Sequence, residues 1–334
     1  MATLVLNRDS LSVKLESNHL LIHEHADGSF RRMPLVDIDR VIVVGQPAIT
    51  FPVFAKLLDL AIPCSFLTHG GRWRGLMDGD SGFHAGRRTR QYAYMSDPGF
   101  ALRLARHTVA AKIANCRRTI QRLAAERHMM MREEPEWITL TACIGRLPAM
   151  MTVDAVRGIE GGAANAYFRL LDRFFPSDAP FQGRSRRPPR NPANALLSFV
   201  YVLLAGVFVG AIRSHGLDVA GGFFHRGNDR SPALALDLME PFRPAWADRL
   251  VLSLLNHRRV RASEHFERCT EGEGGCRLTE DGRRIVFTAF DEMMARQIET
   301  EAGRMSIRQV VDREVCRFLG MIEGDEDVRF FRAA

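Results

Sequence analysis

The chain has 334 residues, 46% hydrophobic and 25% charged, with a formal net charge of +7 and a pI near 9.4. Those values exclude a disordered chain and a single small domain; they predict two domains around large cores and make a polyanion the first partner to consider. Lysine occurs only at positions 14, 56 and 112, so the basic charge is almost all arginine, whose planar fork grips phosphate in a bidentate way. The six cysteines include no CxxC pair, which argues against a zinc site and for reduced thiols in a cytoplasm; no secretory signal is expected before the first strand.

Residues 1–80 read as strands. "TLVLN", "SLSVKLE" and "HLLIHEH" are short and β-branched or alternating, with Asp27-Gly28 as a hairpin signal. "DRVIVVG" is a continuous apolar strand, "PVFAKLLDLA" a short helix, and "PCSFLTH" a returning strand. The glycine- and arginine-rich stretch that follows is expected to hold a linker at 81–90.

From about residue 91 the apolar period lengthens to that of helices. "FALRLARHTVAAKIANCRRTIQRLAAERH" places Leu102, Val109, Ile113, Ile120 and Leu123 among Arg106, Arg117, Arg118, Arg122 and Arg127, which read as a solvated polar face. "TVDAVRGIEGGAANAYFRLLDRFF" is the next helix, and "SDAPFQGRSRRPPRNP" a loop crowded with Arg184, Arg186, Arg187 and Arg190. "ALLSFVYVLLAGVFVGAI", residues 195–212, has the minimum length of a membrane span, but Asn191, Pro192 and Gly216 are the caps of a buried helix of a globular domain, and no membrane association is expected. Cys269 and Cys276 flank "TEGEGG", a hairpin or loop, and the tail "EGDEDVRFFRAA" is acidic and then frayed. The fold class predicted is α+β: an N-terminal β-rich domain (1–80), the linker, and an all-α C-terminal catalytic domain (91–334).

Glu160 sits in an otherwise apolar helix beside Gly161 and Gly162, which a helix tolerates where something must approach its backbone closely. A carboxylate in such a place needs a cation or a partner. Asp237 and Glu240 are three residues apart, on one face if helical, and His225 offers an imidazole nearby in sequence. One histidine with two or three carboxylates is an oxygen-rich set that suits Mg²⁺ or Mn²⁺. The same spacing also fits capping or surface roles for Asp237 and Glu240.

"RGIEGGAANAYF", "RSRRPPRNPANALLSFVYVLL", "GGFFHRGNDRSPALALDLMEPFRP" and "LNRDSLSVKLE" occur in the order found in the CRISPR-associated spacer-acquisition integrases, the Cas-one family, and the chain resembles that family over nearly its whole length, with "GRSRRPPRNPANALLS" most like the type I-C subgroup. The resemblance implies a homodimer built through the strand-rich domain, a Cas-two protein partner, and double-stranded prespacer and CRISPR repeat DNA as substrates. It implies Glu160, His225 and Glu240 as metal ligands, and these three together with Asp237, the neighbouring acid of the same segment, as catalytic residues; Asp237 could share or take over the ligand role of Glu240. Tyr167, Arg184, Arg186, Arg187 and Arg243 are the candidate DNA contacts, against a core role for Tyr167 and a structural pair with Glu240 for Arg243; Asn194 is a candidate for orienting a ligand or for helix capping. The activity expected is metal-dependent endonuclease and integrase chemistry: a prespacer 3′-hydroxyl attacks a repeat phosphodiester. Two other readings stay open, a nuclease of branched or single-stranded DNA and a non-enzymatic DNA-binding scaffold.

Overall fold

The computed structural model describes residues 2–69, 73–79, 84–185, 188–225, 231–269, 275–324 and 330–333. The first seventy-odd residues form two four-stranded sheets and a helix. One sheet has the order β1 (Ala2–Leu6), β5 (Ile38–Val44), β7 (Cys64–Leu67), β8 (Trp73–Met77), parallel except for β8. The other is β4 (Phe30–Pro34), β3 (His19–Glu24), β2 (Leu11–Glu16), β6 (Ala48–Ile49). Gly28, at φ +71°, turns β3 into β4, with Asp27 Oδ1 accepting the Ser29 amide at 2.8 Å. Helix α1 (Phe51–Asp59) is the crossover towards β7.

The unbroken apolar run of β5 has a physical reason. Side chains of a strand alternate between its faces. Val41 and Val43 enter a core shared with β1, β2, β3 and α1; Ile42 and Val44 enter the core of the helical domain. A strand buried on both faces has no polar side to show.

The helical half comprises α2 (Ala85–Met95), α3 (Pro98–Glu126), α4 (Pro135–Arg146), α5 (Val153–Asp172), α6 (Pro192–Ser214), α7 (Ala233–Met239), α8 (Asp248–Asn256), α9 (Glu280–Ala295) and α10 (Ile307–Glu323). A π-helical turn, Arg243–Ala247, leads into α8. Asp97, Thr152 and Asn191 cap α3, α5 and α6 by accepting amide hydrogens. Helix α6 is long and apolar enough to cross a membrane, yet most of it lies inside the protein, with Leu196, Val200, Leu204 and Phe208 fully buried. It is the core helix against which α7, α8, α9 and α10 pack.

Three expectations need correction. Residues 85–90 are not linker but the first turns of α2. The C-terminal half is not all helix: β9 (Phe266–Cys269) pairs with β10 (Gly275–Leu278) across "TEGEGG", and β11 (Gln297–Thr300) with β12 (Gly303–Ser306). Cys276 is opposite Arg268 in that register and is buried. The end of the tail is not frayed: Phe330 and Phe331 are buried, and the Phe331 ring lies 4.5 Å from Trp246 and 4.8 Å from Phe242.

Gln91 of α2 is wholly buried; it donates to the carbonyls of Asp218 (2.8 Å) and Gly221 (3.1 Å) and accepts the Asp218 amide (2.9 Å). A Cβ on Gly221 would lie 2.4 Å from its Nε2, so this contact requires glycine. Gln91 thereby fixes the chain between α6 and α7. The Gln91→Leu variant strands those backbone groups in the interior and should lose at least ~2 kcal/mol in urea unfolding, with faster amide exchange at 218–224.

Candidate metal centre

Glu160 on α5, His225 before α7 and Glu240 just after α7 meet around a residue the sequence reading passed over, Lys112 on α3. Its ammonium pairs with Glu160 Oε1 and, at 2.6 Å, with Glu240 Oε2. Arg243 Nη1 lies 2.7 Å from Glu240 Oε1, and His225 Nε2 is 3.6 Å from that same oxygen. Burial pushes the Glu240 carboxyl up, but Arg243, Lys112 and His225 together pull it further down, to about 2. Burial likewise lowers the Lys112 ammonium, and Glu240 and Glu160 more than reverse it. Glu160 is the more open of the two acids, its side chain 23% exposed against 2% for Glu240.

Asp237 is not one of the converging ligands. It is fully buried, and both of its oxygens are spent: Oδ2 accepts the amides of Phe223 (2.7 Å) and Phe224 (2.9 Å), Oδ1 the amide of His225 (2.7 Å), and His225 Nδ1 lies 2.7 Å from Oδ1. A carboxylate accepts, so Nδ1 donates to Asp237 and Nε2 is turned towards Glu240, where it is a ligand nitrogen whenever the ring is neutral. Arg157, one turn before Glu160, donates to the Phe224 carbonyl at 3.0 Å and braces the same segment against α5.

The Glu240 segment is itself irregular. Pro241 and Pro244 lack amide hydrogens and interrupt the helix where the π turn begins. Buried side chains of α3 take up carbonyls there: Asn115 donates to Pro241 O at 2.7 Å and Thr119 to Pro244 O at 2.8 Å.

The other predicted residues fall out as follows. Tyr167 is 2% exposed and donates to Asp248 Oδ2 at 2.8 Å, so it is a core residue and not a DNA-stacking one. Tyr201 donates to Asp248 Oδ1 at 2.5 Å, and the shared acid ties α5, α6 and α8 together. Arg243 is committed to Glu240 and lies over the Tyr201 ring at 5.0 Å. Arg184 bonds Ser185 O (2.6 Å), Asn194 Oδ1 (2.9 Å) and Ser198 Oγ (3.1 Å), and lines a cavity of about 610 Å³ with Asn165 and Arg169. Asn194 holds that loop by donating to Phe181 O and Gly183 O; it neither caps α6, which Asn191 does, nor touches the acids. Arg186 and Arg187 lie outside the described residues. No described protein atom crowds Gly161 or Gly162, whose missing side chains would meet open space next to Glu160.

The donor set fits a divalent cation. Glu240 Oε2, wholly buried, lies beside Lys112 Nζ but without an aligned hydrogen-bond donor among the described residues, which leaves a buried anionic oxygen for a cation to meet. With the Glu160 carboxylate and the His225 lone pair it makes a hard oxygen–nitrogen set, and the lysine ammonium marks where positive charge belongs. Among the described residues a tighter grouping of metal-type donors exists elsewhere, His215, Asp312 and Cys316; it is at the surface and shares no residue with this centre.

Comparison with known proteins bears on this site. The family model of CRISPR associated protein Cas1 matches residues 4–292. The chain is 34% identical, over 89% of its length and 88% of the relative's, to a CRISPR-associated endonuclease Cas1 of Chlorobaculum tepidum. Its fold matches that of a casposase bound to integration product at a TM-score of 0.89, with 22% identity over 99% of this chain and 93% of that one. It also matches a chain of a Cas6-RT-Cas1–Cas2 complex at 0.83, with 22% identity, over 99% of its own length and 36% of that chain.

Two outcomes follow from the buried acids. Asp237→Ala leaves three buried amides without an acceptor and should cost about 3 kcal/mol or more, with hydrogen exchange rising first at 223–225. Burial pushes Asp248 up from 3.8 to about 6 against the two tyrosine hydrogen bonds and the charges of Arg184 and Arg243. The folded state therefore holds this proton more tightly than the unfolded chain, so its contribution is full below the unfolded value and is lost as pH rises through about 6. Denaturant melts should show up to about 3 kcal/mol of that decline, and Asp248→Asn should flatten it.

Proposed function

The chain belongs to the CRISPR-associated Cas1 family, and from that premise we propose that it is a divalent-metal-dependent DNA integrase and endonuclease that inserts prespacers into a CRISPR array. The 3′-hydroxyl of the incoming duplex attacks a phosphodiester of the repeat. A new phosphorus–oxygen bond forms to that 3′-oxygen while the bond to the repeat strand's own 3′-oxygen breaks, and the departing oxygen takes up a proton. Phosphodiester bonds are conserved, so the step needs no covalent protein intermediate.

The observation that carries the reading is the shared Lys112 ammonium between Glu160 and Glu240, with His225 Nε2 facing Glu240. Glu160, His225 and Glu240 would hold Mg²⁺ or Mn²⁺, which when bound supplies positive charge to the phosphate oxygens as negative charge develops. Asp237 positions His225 by fixing its tautomer, and Arg243 holds the Glu240 carboxylate ionised and in place. The open backbone at Gly161 and Gly162 leaves room for a DNA strand beside Glu160. Arg184, on the cavity flanking α5, is the remaining phosphate contact of the proline-rich loop, which also contains Arg186 and Arg187.

We assign it a Cas2 protein as partner, because a fold neighbour is part of a complex that contains one. The homodimer through the strand-rich domain, the type I-C subgroup and a cytoplasmic location belong to the same proposal. The rival nuclease reading differs only in the nucleophile, water in place of a sugar hydroxyl.

The test supplies a leader–repeat duplex and a prespacer, with and without the partner, across Mg²⁺, Mn²⁺ and chelator. Joined DNA that disappears with chelator supports the proposal; fragments without joining favour the nuclease. Glu160→Ala should cut strand transfer at least ~100-fold while DNA affinity changes little. Unchanged strand transfer in that variant would sink the metal-centred reading.

A further inference from the structure

A second set of donors converges where α6 ends against α10. His215 is the C-cap of α6, and its Nε2 faces Asp312 Oδ1 at 2.9 Å and Cys316 Sγ at 3.6 Å. Asp312 and Cys316 are four residues apart on α10, about one turn, and so share a face. One ligand atom from each of the three residues lies within 4.8 Å of the others.

The backbone holds these side chains in place. Gly216, at φ +72°, ends α6 directly after His215, and a Cβ there would strike the His84 ring, so the position requires glycine. Arg87 donates to the His215 carbonyl at 3.0 Å and Arg88 to the Gly216 carbonyl at 3.3 Å, so α2 fixes the turn that carries the imidazole. Helix α10 begins with a capping box of Ser306 and Gln309, and Val311, Val315 and Phe318 anchor its other face inside the protein. Donors on anchored elements keep their spacing without an ion.

The arrangement is that of a metal site and not of a nucleophile with its base. In a catalytic triad the nucleophile and the carboxylate meet opposite nitrogens of the ring. Here thiol and carboxylate both meet Nε2, which carries either one hydrogen or one lone pair and serves only one of them in full. A cation at the common point serves all three. A tetrahedral zinc, with sulfur at about 2.3 Å and nitrogen at about 2.0 Å, sets those two atoms about 3.5 Å apart. That is close to the 3.6 Å between Cys316 Sγ and His215 Nε2. Thiolate, imidazole and carboxylate form a softer set than the oxygen-rich one around Glu240, and softness selects Zn²⁺ over Mg²⁺ or Mn²⁺. Cys64, Cys116, Cys143 and Cys276 are buried whereas Cys316 is exposed, so an ion can reach it and a solvent water can complete the four ligands.

We propose that His215, Asp312 and Cys316 form a zinc site that ties the end of the core helix to the last helix. The proposal does not rest on the strand-transfer reading.

The test is titration of Co²⁺, a spectroscopic stand-in for Zn²⁺, into the reduced chain in excess Mg²⁺. A thiolate-to-cobalt charge-transfer band should rise and saturate at one equivalent, and Zn²⁺ should abolish it. Cys316→Ser should lose the band, and Asp312→Asn should weaken binding by at least ~10-fold. The band should survive in folded Glu160→Ala, since that centre offers no sulfur, so a failed strand-transfer reading leaves this result untouched. Absence of the band in the native chain, its persistence in Cys316→Ser, or its loss in folded Glu160→Ala overturns the proposal. If Cys316→Ser does not fold, thiol alkylation of the native chain, read by mass spectrometry, decides. Zn²⁺ should slow labelling of the peptide that contains Cys316, and an unchanged rate overturns the site.

Discussion

The structure depends on a charge problem solved at one point. Glu240 is almost completely buried, and a carboxylate taken out of water is costly unless cations and donors surround it. Lys112 and Arg243 each meet one of its oxygens, and Lys112 spans to Glu160. Three helical elements far apart in sequence are thereby pinned by ions and not only by apolar contact. Removing any one charge leaves the others unbalanced in the interior, so this cluster tolerates exchange of one cation for another far better than loss of a cation.

Around that point lies a layer whose work is placement. Asp237 gathers three amides and an imidazole; Asp248 gathers two tyrosines; Asn115 joins the Pro241 carbonyl to the tail, donating to Phe331 O and accepting the Ala333 amide. Glu314 accepts the Phe331 amide from the other side, and burial raises its carboxyl to about 7. Asp248 apart, these buried polar groups are satisfied by backbone at sites where the helices are broken by proline, glycine or loop. Irregular backbone beside a reactive centre is stable because each released N–H or C=O finds such a side chain.

How far this was legible in the sequence follows from the kind of signal each feature emits. Period and caps are local, so β1, β2, β3, β5, β7, α3, α5 and the Asn191–Pro192 start of α6 could be read directly. The apolar run of β5 could be read as a strand, though not that its two faces serve two cores. Glu160, His225 and Glu240 were nameable from spacing and family likeness, whereas their meeting was not, because the cation between them comes from α3, whose arginines drew attention instead. The signal existed: Lys112 is one of three lysines in an arginine-rich chain and sits within "AAKIAN" on an apolar stretch. Tyr167 and Asn194 misled for the opposite reason. Polar groups that bond within the core look the same in one dimension as polar groups aimed at a ligand. The tail misled because its acidic run hides the two phenylalanines that follow.

The division of labour between lysine and arginine closes the argument. Arginine's charge is spread over a plane that stacks and forks, as Arg243 does over Tyr201; such a group is a fixture. An ammonium is a compact point charge on a flexible stem, bound by proximity more than by geometry. Where Glu160 and Glu240, carried by different helical segments, share a cation, the chain has a lysine, whose charge sits at the end of a flexible stem. An arginine at 112 would fill the same space with a rigid fork and would compete with any incoming ion for the orientation of Glu160 and Glu240. On the proposed metal-binding reading, a centre stable without its ion and receptive to one is better served by lysine, and lysine is scarce elsewhere in the chain.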